Sequence, residues 1–251
     1  RKGSVKQAVE LEKAGCEIIR AAIPNEEAVG LIPAIKEAVS VPLVADIHFD
    51  YRLAIKAVEA GVDKIRINPG NIGADDRVKA VADACRRHRV PIRIGVNAGS
   101  LEKHILEKYG APVPEALVES ALYHVSLLER FDFDDIVISI KSSDVQTMVA
   151  AYRLLSKRCA YPLHLGVTEA GTARMGMIKN AIGIGSLLLD GIGDTIRVSL
   201  TADPVEEVRA GYDILKASGI RKTGAEVISC PTCGRTRSKL IALANEVETA
   251  L

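Results

Sequence analysis

Short apolar runs of strand length alternate with helical stretches from Ser4 to Gly219, and few folds accept such a chain. The unit is clearest in residues 41–73, VPLVADIHFDYRLAIKAVEAGVDKIRINPGNIG. Residues 42–47 form an apolar run between turn residues, as a buried parallel strand requires. Residues 51–60 carry an apolar stripe of Leu53, Ala54, Ala57 and Val58 and stop at Gly61. Residues 62–67 form a second strand. Asp46 and His48 close the first strand, Arg66 and Asn68 the second. Each pair is spaced i, i+2, so its members share one face.

The same reading extends both ways. Helices are expected at 4–14, with Ser4 as N-cap, and at 25–39, with Asn25 as cap. Further helices are expected at 75–88, at 115–130, from a Ser143/Gln146 capping box to about 158, at 172–189, and from Asp203-Pro204 to about 219. Strands are expected at 16–21, 91–96, 135–140, 162–167 and 194–200, with a single helical turn in the excursion 98–114. Eight helices and seven strands that begin on a helix suggest a (β/α)8 TIM-type barrel over residues 1–220, with its first strand upstream of Arg1. The alternative is a doubly wound open sheet, but no glycine-rich dinucleotide loop follows an early strand. Gly183 and Gly185 in AIGIGSLL imitate a phosphate loop only superficially, and tight helix packing is the expectation there.

Barrel sites are built at the C-terminal ends of the strands. Those ends carry Arg20, Asp46, His48, Arg66, Asn68, Arg93, Asn97, Lys141, Thr168, Glu169, Arg197 and Ser199. Five cations (Arg20, Arg66, Arg93, Lys141, Arg197) face two acids (Asp46, Glu169), an excess of three positive charges. Such a concentration is costly unless an anion neutralises it. Guanidinium forks with Asn and Ser donors suit phosphate or diphosphate oxygens. Any one of these arginines could instead pair with a neighbouring loop, and His48 alone would more often be structural. His88, His104, His124 and His164 receive no role.

The formal net charge is only +1, so no global field argues for nucleic acid or an anionic membrane. No apolar run approaches membrane-spanning length, and no signal peptide is evident. Five cysteines, an odd number in a long helical chain, are expected in a reducing cytoplasm rather than a disulfide scaffold. Residues 221–251 read as a polar link, a brief strand, the CxxC of Cys230 and Cys233, and an amphipathic helix. Two thiolates at this spacing can clamp a metal ion or a cluster corner, and zinc ribbon, redox dithiol and iron–sulfur readings compete.

The segments VADIHFDYR, KIRINPGNIG, PIRIGVNAGSLE, HLGVTEAG, GDTIRVSLTADPVEEV and ISCPTCGRT together closely resemble the (E)-4-hydroxy-3-methylbut-2-enyl diphosphate synthase family of the non-mevalonate isoprenoid pathway. The resemblance spans nearly the whole chain. It implies a barrel that binds 2-C-methyl-D-erythritol 2,4-cyclodiphosphate, a [4Fe–4S] cluster in a C-terminal domain, and a reductive ring opening fed by flavodoxin or ferredoxin. Position by position it implies a diphosphate cradle of Arg66, Asn68, Arg93, Asn97, Lys141, Arg197 and Ser199. Arg20, Asp46, His48, Thr168 and Glu169 would line the carbon skeleton, with Glu169 the proton donor. Cys230 and Cys233 would be two of three cluster cysteines, and the remaining ligands would fall beyond Leu251. The pattern is that of the bacterial two-domain form, expected as a homodimer, with the chain truncated at both ends and unable alone to hold an intact cluster or turn over. The runner-up is a phosphate-ligand barrel resembling dihydropteroate synthase with CxxC as a zinc clip, and a third reading is a zinc-binding interaction module.

Overall fold

A computed structural model describes residues 2–222 and 224–250. The chain runs through α1 (Lys2–Lys13), β1 (Ile19–Ala22), α2 (Glu26–Val29), α3 (Leu31–Ala38), β2 (Leu43–Asp46), α4 (Tyr51–Glu59), β3 (Lys64–Ile67), α5 (Asp75–His88) and β4 (Ile92–Asn97). It continues through α6 (Lys103–Tyr109), α7 (Pro114–Glu129), β5 (Ile136–Lys141), α8 (Val145–Leu155), β6 (His164–Leu165), α9 (Ala173–Leu189), β7 (Thr195–Ile196), α10 (Pro204–Ala217) and α11 (Leu240–Ala250). All strand pairs are parallel. Strands β1 to β5 form one sheet in sequence order, and β6 pairs with β7. A bridge from Ile138 to Leu163 joins the two sets. Spatial order follows chain order with no reversal, which is barrel winding and not a doubly wound sheet. The helical ring is drawn together where the Tyr212 hydroxyl of α10 donates to the Gly15 carbonyl behind α1 at 2.9 Å.

Two faces of the strands have opposite chemistry. Leu43, Ala45, Ile65, Ile67, Ile92, Ile94, Ile138 and Ile140 are sealed from solvent beneath the helices. They pack in one core with Ala54, Ala57 and Val58 of α4 and Val78 and Val81 of α5. Alternate positions carry Asp46, Arg66, Arg93, Ser139 and His164, all buried as well. With period-two alternation, those polar residues share the inner face of the barrel.

Several local expectations need correction. Ser4 lies inside α1, which already includes Lys2, so it caps nothing. The expected helix over 25–39 is broken at Gly30 into α2 and α3. Pro33 explains the break, because its ring lacks a donor and clashes with the carbonyl four residues back. Asn25 does cap α2, its Oδ1 accepting from Ala28 N at 3.0 Å. Helix α8 is capped by Asp144, which accepts from Thr147 N at 2.7 Å, rather than by Ser143. An anionic acceptor one residue nearer the helix suits its positive end better than a serine hydroxyl. The excursion after β4 holds the seven-residue α6, more than a single turn. Strands β6 and β7 shrink to two residues each, and among the described residues β7 pairs only with β6. The brief strand expected just before the CxxC does not form among the described residues between α10 and Cys230, while α11 forms as a helix that buries none of its residues.

Candidate functional site

Ladder register brings the strand-end residues together. Asp46 of β2 stands opposite Arg66 of β3, which stands opposite Arg93 of β4. Asn97 of β4 stands opposite Lys141 of β5. Asp46 accepts from Arg66 Nη1 at 3.1 Å on one oxygen and from Arg20 Nη1 at 2.9 Å on the other. Arg66 also donates through Nη2 to the Gly95 carbonyl at 2.8 Å. Asn68 accepts from Gly95 N at 2.9 Å, which leaves its amide hydrogens for another acceptor. Across the site Arg197 donates to Ser199 Oγ at 3.0 Å and to Thr168 Oγ1 at 3.1 Å.

Two glycines make room for these guanidinium groups. A Cβ on Gly95 would stand 2.4 Å from Arg66 Nε, and one on Gly166 would stand 2.6 Å from the Arg197 carbonyl. A side chain at Gly95 would push the Arg66 guanidinium out of its present position, and one at Gly166 would strike the Arg197 backbone and crowd its guanidinium, so glycine at both sites leaves the arginines their places.

The electrostatics show how unbalanced the mouth is. Burial pushes the Asp46 carboxyl up, but Arg66, Arg20 and Lys141 outweigh it and hold the group below the usual carboxylate range. Burial first, then Arg20 and Arg197, draw Arg93 down to about 10. Burial, then Arg66, draws Lys141 down to about 7 against the opposing pull of Asp46. Among the described residues neither Arg93 nor Lys141 has a carboxylate within ion-pair distance. An assembly whose cations are held below their ordinary pKa values by burial and by one another is one that an anion would relieve.

His48 and Glu169 are exposed, and Glu169 adopts a left-handed backbone at φ 52°. Asn97 is exposed and accepts from Gly99 N at 3.0 Å. Lys64 and His164 also face inward and were not anticipated. The His164 Nδ1 lies 2.7 Å from Thr195 Oγ1, while its buried Nε2 has no partner among the described residues. Burial, then Arg93 and Arg197, hold its ring well below its ordinary pKa. The sequence signal was His164 standing two residues before Gly166 on the inner face, but a histidine inside an apolar run reads as core.

Cys230 and Cys233 lie in the exposed segment between α10 and α11 as free thiols. Hydrogen bonds from Arg235 pull the Cys233 thiol down. Two accessible thiols at this spacing fit two corners of an iron–sulfur cluster, yet among the described residues no group of three metal-ligating side chains forms. Gly183 and Gly185 fall within α9 and not in a loop. Gly183 meets Val167 at 2.8 Å from its would-be Cβ, as helix packing predicts, whereas Gly185 has nothing within 4 Å.

The GcpE TIM-barrel domain model matches residues 1–212. The chain is 61% identical over 248 residues to 4-hydroxy-3-methylbut-2-en-1-yl diphosphate synthase (flavodoxin) of Clostridium perfringens, covering 99% of this chain and 71% of that protein. The synthase of the same name from Caldanaerobacter subterraneus subsp. tengcongensis is 62% identical over 245 residues, covering 98% and 69%. Among solved structures, dihydropteroate synthase of Yersinia pestis superposes with a TM-score of 0.60 at 14% identity, over 88% of this chain and 89% of that one. That likeness shows the barrel and nothing about the reaction. The chain belongs to the GcpE family of 4-hydroxy-3-methylbut-2-en-1-yl diphosphate synthases.

Proposed function

We propose that the barrel binds 2-C-methyl-D-erythritol 2,4-cyclodiphosphate and that the enzyme reduces it to (E)-4-hydroxy-3-methylbut-2-enyl diphosphate. Two electrons and two protons enter, the cyclic phosphoester bond to carbon opens, and one water leaves. The observation that carries this reading is the set of five strand-end cations around Asp46, the one buried carboxylate among the described residues, which pairs with only Arg66 and Arg20.

Arg66, Asn68, Arg93, Asn97, Lys141, Arg197 and Ser199 form the diphosphate cradle in this proposal. Forked guanidinium donors and the free amide of Asn68 address oxygens on both phosphates. Asp46 fixes Arg66 and Arg20 in place, so the donors are oriented before the ligand arrives. Thr168 and His48 flank the carbon skeleton. Glu169 is the proton donor to the carbon or oxygen that leaves the ring, because it is the remaining acid at the strand ends and stands beside Thr168. Cys230 and Cys233 would hold two corners of a [4Fe–4S] cluster, which when bound supplies electrons one at a time. Its other ligands are not among the described residues. Flavodoxin or ferredoxin is the electron donor, and a homodimer is the working form.

Calorimetric titration of the chain with the cyclodiphosphate tests the binding half. Micromolar or tighter binding that weakens steeply with salt is expected, since five cations meet one dianion. No detectable heat or displacement at millimolar ligand would overturn it.

A further inference from the structure

Helix α7 reaches the site through one buried histidine outside the cradle. His124 is 1% exposed. Its Nδ1 accepts from the Gly70 amide at 3.1 Å, and its Nε2 lies 2.6 Å from Glu102 Oε1. The second Glu102 oxygen accepts from Ser120 Oγ at 2.7 Å. A backbone amide can only donate, so Nδ1 bears no hydrogen and the ring's single proton sits on Nε2, facing the carboxylate. Glu102 stays anionic: burial pushes it up, but the His124 and Ser120 bonds draw it down to about 2.

Gly70 belongs to the tight turn Pro69–Asn71 that leaves β3 directly after Arg66 and Asn68. Asn71 N closes that turn on the Asn68 carbonyl at 2.8 Å. A Cβ on Gly70 would stand 2.9 Å from His124 Cε1, so the turn is seated against the ring itself. From the turn, Asn68 Oδ1 grips Gly95 N, and the Gly95 carbonyl holds Arg66. Hydrogen bonds linked by short stretches of backbone thus connect Glu102, through His124, the Pro69–Asn71 turn, Asn68 and Gly95, to the guanidinium of Arg66.

We propose that His124 is a positioning residue for the site: it clamps the Pro69–Asn71 turn from helix α7 and so fixes Asn68 and Arg66 at the separation the diphosphate needs. The proposal rests on the cradle reading above. It assigns His124 no contact with substrate. Glu102 and Ser120 set the ring's tautomer and orientation, in the way a second group fixes a metal-bound or catalytic histidine.

Three substitutions separate the two faces of the ring. His124→Phe fills the volume and removes both bonds. His124→Asn places an acceptor where Nδ1 was, and His124→Gln places its amide where Nε2 was. The readouts are hydrogen exchange at the Gly70 amide and the calorimetric Kd for the cyclodiphosphate. His124→Phe is expected to speed Gly70 exchange and weaken binding by about tenfold each, the size of one lost buried hydrogen bond. His124→Asn should return both to within about threefold of the parent, and His124→Gln should not. Wild-type exchange and affinity in His124→Phe, or rescue by Gln equal to that by Asn, overturns the clamp. Should His124→Phe fail to fold, the contrast between Asn and Gln decides alone. Affinity lost in Arg66→Ala but kept in His124→Phe removes the clamp only; affinity kept in both removes the cradle reading and the clamp with it.

Discussion

Asp46 and Arg66 occupy opposed positions on neighbouring strands, and their side chains, each 6% exposed, meet at 3.1 Å. The same carboxylate holds Arg20 through its other oxygen. One buried anion therefore anchors two cations in a site that holds three more. Asp46→Asn keeps the shape and removes the charge. Breaking a buried pair by deleting one partner costs about 3–5 kcal/mol, because the remaining charges stay buried and uncompensated. Urea unfolding should show a loss of that order, and added cyclodiphosphate should recover part of it by binding the folded state. A loss below about 1 kcal/mol would mean that solvent reaches Arg66 and screens it.

Arg66 can be displaced without changing any charge. A Cβ on Gly95 would meet Arg66 Nε at 2.4 Å, so Gly95→Ala must push the guanidinium aside. Arg66→Ala should weaken cyclodiphosphate binding by about 2–5 kcal/mol, as expected for loss of a buried charged contact. Gly95→Ala should reproduce a large share of that loss with the arginine still present. Titration calorimetry on both variants checks this. Equal affinity in Gly95→Ala and the parent would show that Arg66 does not bind ligand in the orientation it holds here.

The strand ends were legible from the sequence because their signal is local. Polar residues at i, i+2 closing an apolar run, as in Arg66 and Asn68, can share only one face, and the barrel tells which. Pro33, whose ring interrupts the helix one turn earlier, stood in plain view, but the apolar periodicity of residues 25–39 masked the break. His124, His164 and Gly95 were not legible. Their roles depend on register between elements far apart in the chain: 54 residues separate Gly70 from His124, and 29 separate Arg66 from Gly95. A histidine on an apolar helix face and a glycine in a strand look the same whether they pack or position.

Lys141 makes binding proton-linked. Burial and then Arg66 draw its folded pKa down to about 7 from an ordinary lysine value of 10.5. Without ligand, the folded chain thus binds fewer protons than the unfolded chain between about pH 7 and 10. By that sign, this residue makes stability rise with pH across the window, and its destabilising effect is fully present below it. A bound dianion favours the charged ammonium, so binding at pH 8 should take up close to one proton, and at pH 6 almost none. Calorimetry in buffers of different ionisation enthalpy measures the uptake. Lys141→Met should abolish it; uptake that persists in the variant would assign the proton to another group.

The five cysteines should separate cleanly by reactivity. Cys230 and Cys233 are exposed, and hydrogen bonds from Arg235 pull the Cys233 thiol down. Cys85 is fully buried, and burial pushes its thiol up to about 12. Burial also raises Cys16 and Cys159, which are partly covered. Because the thiolate is the nucleophile, alkylation of the metal-free chain near pH 7 should mark Cys233 and Cys230 first and leave Cys85 untouched until unfolding. Mass spectrometry of tryptic peptides over a time course gives the order directly. Anaerobic incubation with iron and sulfide before labelling should protect Cys230 and Cys233 to the same extent if they share one cluster corner pair, and protection of one without the other would show that they do not. Zinc supplies the control: two thiolates with no third ligand among the described residues should hold it weakly, so protection should vanish on dilution into chelator. Zinc protection that survives the chelator would instead favour a closed zinc site at the CxxC.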